Sequence, residues 1–195
     1  MKNIALLMIA KGNSKRLKNK NKLLYNGKPM FLWNIKKGLS ISKNFYFNSD
    51  DEKMIKMASK TGLKIIKREK KHLEHETPSR LIFKSCLKFM PKKIHGILHI
   101  QANSPNLNIS LIKTALHIMK YTKIEELLTC DKNYNQYGSL WGITRKKINT
   151  YNMNKKIHDR KIIKPDCYLL DESIDIHNYK EFKQSLKLSK KKSSN

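Results

Sequence analysis

Ile4-Ala5-Leu6-Leu7-Met8-Ile9 is an unbroken apolar run that ends at Lys11-Gly12. With no polar residue alternating through it, such a run cannot lie half in water, and it reads as a parallel strand covered on both faces. It is too short to cross a bilayer, which takes about 18–20 apolar residues. Lys11-Gly12-Asn13-Ser14-Lys15 stands where a leader would carry its small-residue cleavage site, so the segment reads as a strand and not as a signal peptide. A strand buried on both faces needs helices on both sides of its sheet.

The rest of the chain supplies them. Pro29 opens a helical pattern with Leu32, Ile35 and Leu39. Residues 45–47 make a short strand, after which Asp50 or Asp51 caps a helix carrying Met54, Ile55 and Ala58 and closed by Gly62. Residues 63–66 form the next strand. Thr77-Pro78 opens a third helix that Pro91 stops, residues 97–101 read as a strand, and Asn108 caps a helix with Leu111, Ile112, Ala115, Leu116 and Met119 inward. Strands at 127–129 and 139–143 follow, then a final helix with Tyr179, Phe182 and Leu186 on one side. This alternation implies an α/β domain built on a mostly parallel sheet, spanning residues 1–186, with a basic disordered tail over 187–195. In such sheets ligands bind beyond the carboxyl ends of the strands, which places segments 10–22, 48–51 and 101–105 around one crevice.

Charge narrows the function. The 42 Lys and Arg residues outnumber the 15 Asp and Glu, for a net charge of +27, a field that attracts polyanions whatever the fold. The excess is mostly lysine spread along the whole chain with many Asn and Ile, the pattern of AT-rich codon usage. Aromatics are only 8% of the chain and none lies in the basic loop at 11–22, so no specific nucleic acid is expected as partner, although a basic RNA-binding module stays open as an alternative. Three cysteines, Cys86, Cys130 and Cys167, are odd in number and lack metal-ligand spacing, which suits a reducing cytoplasm.

The loop after the first strand gathers Lys11, Lys15, Arg16, Lys18 and Lys20 around Gly12 and Ser14. Gly12 permits a turn that exposes backbone N–H groups, and the cations neutralise a polyphosphate, which is the chemistry of a triphosphate cradle. It is not a Walker A loop, since Gly27-Lys28 is followed by Pro29, and it lacks the dinucleotide glycine spacing. A lysine-rich chain also puts lysine on any loop, so composition alone leaves a solvated loop open.

The order of residues says more. Within residues 10–29, the Gly-x-Ser-Lys-Arg-Leu, Lys-Asn and Asn-Gly-Lys-Pro blocks resemble the N-terminal signature of the acylneuraminate (CMP-sialic acid synthetase-like) cytidylyltransferases. Asn48-Ser49-Asp50-Asp51-Glu52, Gln101-Ala102-Asn103-Ser104-Pro105 and Ser173-Ile174-Asp175-Ile176-His177 resemble further blocks of that family, in family order. The resemblance implies a three-layer Rossmann-like nucleotidyltransferase fold that transfers CMP from CTP to the anomeric hydroxyl of a small acidic sugar, with magnesium (Mg2+) as cofactor. It implies that Lys11, Lys15, Arg16 and Lys20 form the catalytic set, and that Ala10, Gly12, Ser14 and Asn21 join them around the nucleotide. Arg68, Pro78 and Arg80 would meet the cytidine, Gln101 and Ser104 the sugar, and Asp175 and His177 the metal.

Several residues depart from the family pattern. Lys11 replaces an arginine and loses its planar fork for phosphate. Asn13 replaces a second glycine, which would ask it to take a positive φ. His177 replaces an aspartate, and imidazole is a poor magnesium ligand. The stretch between Cys130 and Ser139 is short where family members carry an arm to a partner subunit, which implies a homodimer with a trimmed arm. The alternatives within this reading are a nucleotide-binding member without turnover and a 3-deoxy-octulosonate cytidylyltransferase.

Overall fold

β1 (Ile4–Ala10) runs through the middle of the structure with six of its seven residues buried. The computed structural model describes residues 1–14, 16–74 and 77–192, so Lys15 and residues 193–195 lie outside the described residues. A tight hairpin of β2 (Leu24–Tyr25) and β3 (Lys28–Pro29) leads into α1 (Met30–Leu39). β4 (Phe45–Ser49), α2 (Glu52–Ser59), β5 (Lys64–Lys67), α3 (Ser79–Lys88), β6 (Gly96–Ile100) and α4 (Ile109–Tyr121) then alternate as the periodicity predicts. β7 (Glu126–Cys130) and β8 (Gln136–Thr144) form a second hairpin, followed by α5 (Arg145–Thr150), β9 (Cys167–Leu170) and α6 (Tyr179–Lys192).

The central sheet has seven strands in the order β5-β4-β1-β6-β8-β7-β9. β8 is antiparallel to both its neighbours, β6 and β7, and every other pairing is parallel. Alternate residues of β1 feed two cores. Leu6 and Met8 pack with Phe31, Ile35, Met54 and Ile112 of the helices on one face, whereas Ala5 and Leu7 pack with Phe83, Cys86 and Ile148 on the other. Each fully buried Leu or Phe side chain contributes about 1.5–3 kcal/mol, which is why a run without polar residues belongs between two helical layers. The three-layer α/β fold with a mostly parallel sheet is therefore the fold of this chain.

Three local features add to the sequence reading. The Asn26-Gly27 turn of the first hairpin has φ of 44° and 78°, the left-handed pair that an Asn-Gly turn supplies, so this hairpin was signalled in the sequence but not drawn from it. The C-terminal helix does not stop at 186. It continues to Lys192, within the span expected as a basic tail, and its inward face continues along the hairpin: Tyr25 Oη donates to the Ser185 carbonyl at 2.8 Å and Asn26 Nδ2 to Ser189 Oγ at 2.9 Å. Residues 131–135 close as a turn in which Asp131 Oδ1 accepts the N–H groups of Asn133 and Asn135 at 2.8 and 2.9 Å, so the connection between β7 and β8 carries no arm.

Residues 151–166 climb back over α3, held there by one buried ion pair. The fully buried Arg80 donates from Nη1 to Asp159 Oδ1 at 2.6 Å, from Nε to the Asn152 carbonyl at 2.8 Å and from Nη2 to the Asn154 carbonyl at 2.7 Å. Asp159 Oδ2 accepts the Ser79 N–H at 2.6 Å and so caps α3 from outside. Asp159→Ala is expected to lower stability by about 3–5 kcal/mol, because it leaves a buried guanidinium without its counter-charge. Urea denaturation with a midpoint equal to that of the wild-type protein would show that the pair contributes nothing.

Candidate active site

A crevice of about 740 Å³ opens over the carboxyl ends of the parallel strands. Segments far apart in the chain meet in it: the loop after β1, Arg68 beyond β5, the start of α3, residues 101–103 beyond β6, part of the β7–β8 hairpin, residues 158–160, and Asp175 with His177. Lys11, Ser14, Arg16, Lys20, Asn21, Arg68, Pro78, Gln101, Asp175 and His177 all line it.

The shape of the first loop comes from tight local ties. Asn21 Nδ2 donates to the Lys11 carbonyl at 3.1 Å and draws the two ends of the loop together. Asn19, at φ 56°, starts the short helical turn Lys20–Lys22. The left-handed residue is thus Asn19 and not Asn13, which is absent from the described non-glycine residues with positive φ. Gly12 is required for closeness: a Cβ there would sit 2.7 Å from Asp51 Cβ and 2.8 Å from its Oδ2. Its N–H does not face the crevice as a free donor, since it donates to Asp50 Oδ1 at 3.0 Å. Asp51 is the cap of α2, accepting the Met54 N–H at 2.9 Å while Lys22 Nζ donates to it at 2.5 Å.

Cations and acids are arranged around the opening. The buried Arg68 donates from Nε to Asn48 Oδ1 at 3.0 Å and stands 3.9 Å from Asp50. Burial pulls the Lys20 ammonium below its ordinary pKa; Asp175 opposes that shift and Arg16 adds to it. Lys20, from the first loop, therefore lies in the field of Asp175, contributed by the far end of the chain. Asp175 is fixed from two sides, with Asn103 Nδ2 donating to Oδ1 and His177 Nε2 lying 2.8 Å from Oδ2. Asn103 Nδ2 also donates to the Ile176 carbonyl at 2.7 Å, and Glu181 Oε2 accepts the His177 N–H at 2.6 Å. His177 Nδ1 is sealed without a hydrogen-bond partner among the described residues.

Three expected contacts are corrected by these positions. Arg80 does not reach the crevice, because all three of its nitrogens are engaged in holding residues 152–159. Ser104 is fully buried, its carbonyl accepting from Asn34 Nδ2 at 2.8 Å, so its hydroxyl faces the interior and not a sugar. Ala10 is core at the end of β1. His99 is a core imidazole: it packs against Phe83 with ring centroids 5.0 Å apart and planes tilted by 43°, and burial pulls its pKa down to about 3, so it is neutral. Asn103, Gln136, Gly138, Trp141, His158 and Arg160 also line the crevice and were not read from the sequence. Asn103 lies inside a matched block, and Gly138 and Trp141 inside a segment that resembles a family strand, whereas Gln136, His158 and Arg160 carry no local signal.

Of the three carboxylates that line the crevice, Glu74 pairs with Lys155 and Asp159 with Arg80, so as a metal site it offers Asp175 beside the loop cations. Among the described residues no cluster of three or more His, Cys, Asp or Glu could hold an ion by itself. That donor set suits a cation such as magnesium, which keeps several waters and is held by one or two carboxylates together with substrate phosphates. His177, expected beside Asp175 as a metal ligand, has its Nε2 2.8 Å from Asp175 Oδ2.

Residues 5–185 match the family model described as Cytidylyltransferase. A curated relative, the pseudaminic acid cytidylyltransferase of Campylobacter jejuni, is 29% identical over 121 residues, which cover 59% of this chain. The chain spans about half the length of that relative, 52% of it. Among solved structures, a CMP:2-keto-3-deoxy-manno-octonic acid synthetase complexed with CTP superposes with a TM-score of 0.74 at 11% identity, covering 97% of this chain and 99% of its own. A cytidylyltransferase from Leptospira borgpetersenii gives 0.70 at 13%, covering 100% and 96%. A Mycobacterium tuberculosis H37Rv protein complexed with manganese gives 0.72 at 11%, covering 95% and 98%. At these identities the structural likeness is one of fold.

Gly12→Ala tests the close approach described above. It is expected to displace Asp51 and to cost about 1–3 kcal/mol through overpacking and a weakened helix cap. A thermal unfolding midpoint unchanged from wild type would show that the loop yields freely.

Proposed function

The chain belongs to the cytidylyltransferase family, and on that premise we propose that it transfers CMP from CTP to the anomeric hydroxyl of a sialic-acid-like (nonulosonic) sugar acid. The observation that carries this reading is the convergence of the first loop and Asp175, one from each end of the chain, on a single crevice. In the reaction the hydroxyl oxygen attacks the α-phosphorus, a new oxygen–phosphorus bond forms, the bond to the bridging oxygen breaks, and pyrophosphate leaves.

Such a transfer asks the protein for position and charge neutralisation more than for covalent chemistry. Lys11, Arg16 and Lys20 hold the triphosphate, Ser14 and Asn21 add a hydroxyl and a loop tie, and Arg68 and Pro78 border the cytidine. Lys15 belongs to the same cationic set by its place in the loop. Gln101 faces the sugar. Asp175 would hold magnesium, which supplies neutralisation of phosphate charge when bound. His177 acts on Asp175 as its hydrogen-bond partner, the outer-shell role that orients a metal-binding carboxylate. Arg80 and Ser104 support the walls from inside.

Purified protein given CTP, magnesium and a panel of nonulosonic acids is expected to release pyrophosphate. A full panel of neuraminic, legionaminic, pseudaminic and octulosonic acids that yields none, beside a working control enzyme, would overturn the reading. Lys20→Met is expected to weaken CTP binding about 10- to 100-fold, the size of one lost charge-assisted hydrogen bond. Because burial lowers the pKa of Lys20, its cation is present below that value and is lost as pH rises through it. CTP affinity measured by calorimetry should therefore begin to fall at a lower pH in wild type than in Lys20→Arg. Coincident pH profiles would remove Lys20 from the triphosphate site.

A further inference from the structure

We propose that Gly138 sets which acceptor the crevice admits, by leaving open the space that a side chain would fill. The inference rests on the reading that CTP and a sugar acid share this crevice. The pairing of β7 with β8 jumps from Leu128↔Trp141 to Thr129↔Tyr137, so residues 138–140 have no register partners on the β7 backbone and β8 bulges. Bulges bend a strand and re-aim its side chains. This one is held firmly. Thr129 Oγ1 and Ser139 Oγ, both on fully buried residues, lie 2.9 Å apart. The Leu140 N–H donates to Thr129 Oγ1 at 3.1 Å, and the Ser139 carbonyl accepts the Gln101 N–H at 2.9 Å.

Gly138 lies on the open side of that bulge and lines the crevice. A Cβ built on it meets no atom within 4 Å, and its φ is not in the left-handed range that favours glycine. Neither backbone strain nor close packing calls for a glycine here. What glycine provides is room.

Strand order says which half of the crevice that room belongs to. The phosphate-type loop follows β1 in the middle of the sheet, and Arg68 follows β5 at one edge, whereas Gly138 lies on β8, on the far side of β6. With the nucleotide on the β1–β5 side, the β8–β7 side takes the acceptor. Its lining sets the apolar Leu128, Trp141 and Ile163 beside the polar Gln136, His158 and Arg160, and the Trp141 ring is fixed by an Nε1 hydrogen bond to Glu126 Oε1 at 2.8 Å. Those apolar side chains suit a sugar acid that carries a deoxy methyl or acyl group over a fully hydroxylated one, and Gly138 gives that substituent its clearance.

The test is a graded series, Gly138→Ala and Gly138→Leu, read on both substrates. The KM for the preferred nonulosonic acid is expected to rise about 10-fold with Ala and at least about 100-fold with Leu, in line with what added methylenes do in an apolar pocket. CTP affinity and the thermal midpoint should stay at wild-type values. An unchanged acid KM in the Leu variant, or a matching loss of CTP affinity, would overturn the inference; should the Leu variant fail to fold, the Ala variant decides on the same criteria. Should wild type bind CTP but turn over no acid, calorimetry with the acid panel and a non-hydrolysable CTP analogue separates the two claims. Acid binding lost in Gly138→Ala or Gly138→Leu supports the role of Gly138 without turnover, and a wild-type protein that binds no acid overturns it while leaving the nucleotide half of the reading standing.

Discussion

Burial of β1 on both faces is the constraint on which the rest of this structure depends. Because Leu6 and Met8 must pack on one side and Ala5 and Leu7 on the other, helices have to cover both faces of the sheet. Parallel neighbours connected by helices then follow, and with them a common edge at which the strands' carboxyl ends open. The cationic loop lies at that edge because it directly follows the last residue of the buried strand. A lysine-rich surface would attract polyanions in any arrangement, and this topology brings Lys11, Arg16, Lys20 and Arg68 to one concavity.

The second device is the tie between the two ends of the chain. Asn103, just past β6, donates both to Asp175 and to the Ile176 carbonyl, so the block at 173–177 is docked onto the sheet before α6 begins. α6 in turn is locked by Phe182 against Tyr25 and by the Tyr25–Ser185 hydrogen bond. Asp175 thus reaches Lys20 from a wall that is packed and not from a mobile terminus. This geometry supports the proposed phosphoryl transfer, in which a carboxylate and the loop cations act on the same phosphate chain. In the same block His177 stands with its Nε2 2.8 Å from Asp175 Oδ2.

A good part of this was legible in the residues. The β1 run, the helix starting after Pro29, the Asn108 cap and the α3 stop at Pro91 all rest on local rules, and local rules act through the backbone within a few residues. Lys20, Gln101 and Asp175, which line the crevice, stand in the ordered blocks read from the sequence. Arg80 was misread for a physical reason: an arginine within a matched block looks the same whether its guanidinium faces a ligand or a buried aspartate 79 residues away. The same holds for Ser104, whose hydroxyl points inward, and for Gly12, whose need for glycine comes from Asp51 across a loop and not from its own φ. The lysines from Lys187 onward conceal in the sequence that Ser189 still meets the first hairpin, where it accepts from Asn26 Nδ2.

The sequence alone determined the layer order, the position of the cationic loop and the membership of the chain in its family, because strand burial, capping and block order are properties of neighbouring residues. Only the tertiary structure decided which charges look into the crevice and which are spent inside, and that the β7–β8 bulge opens a space at Gly138. Those outcomes depend on contacts between residues distant in the chain, whose energies are set by packing and desolvation at the place where they meet.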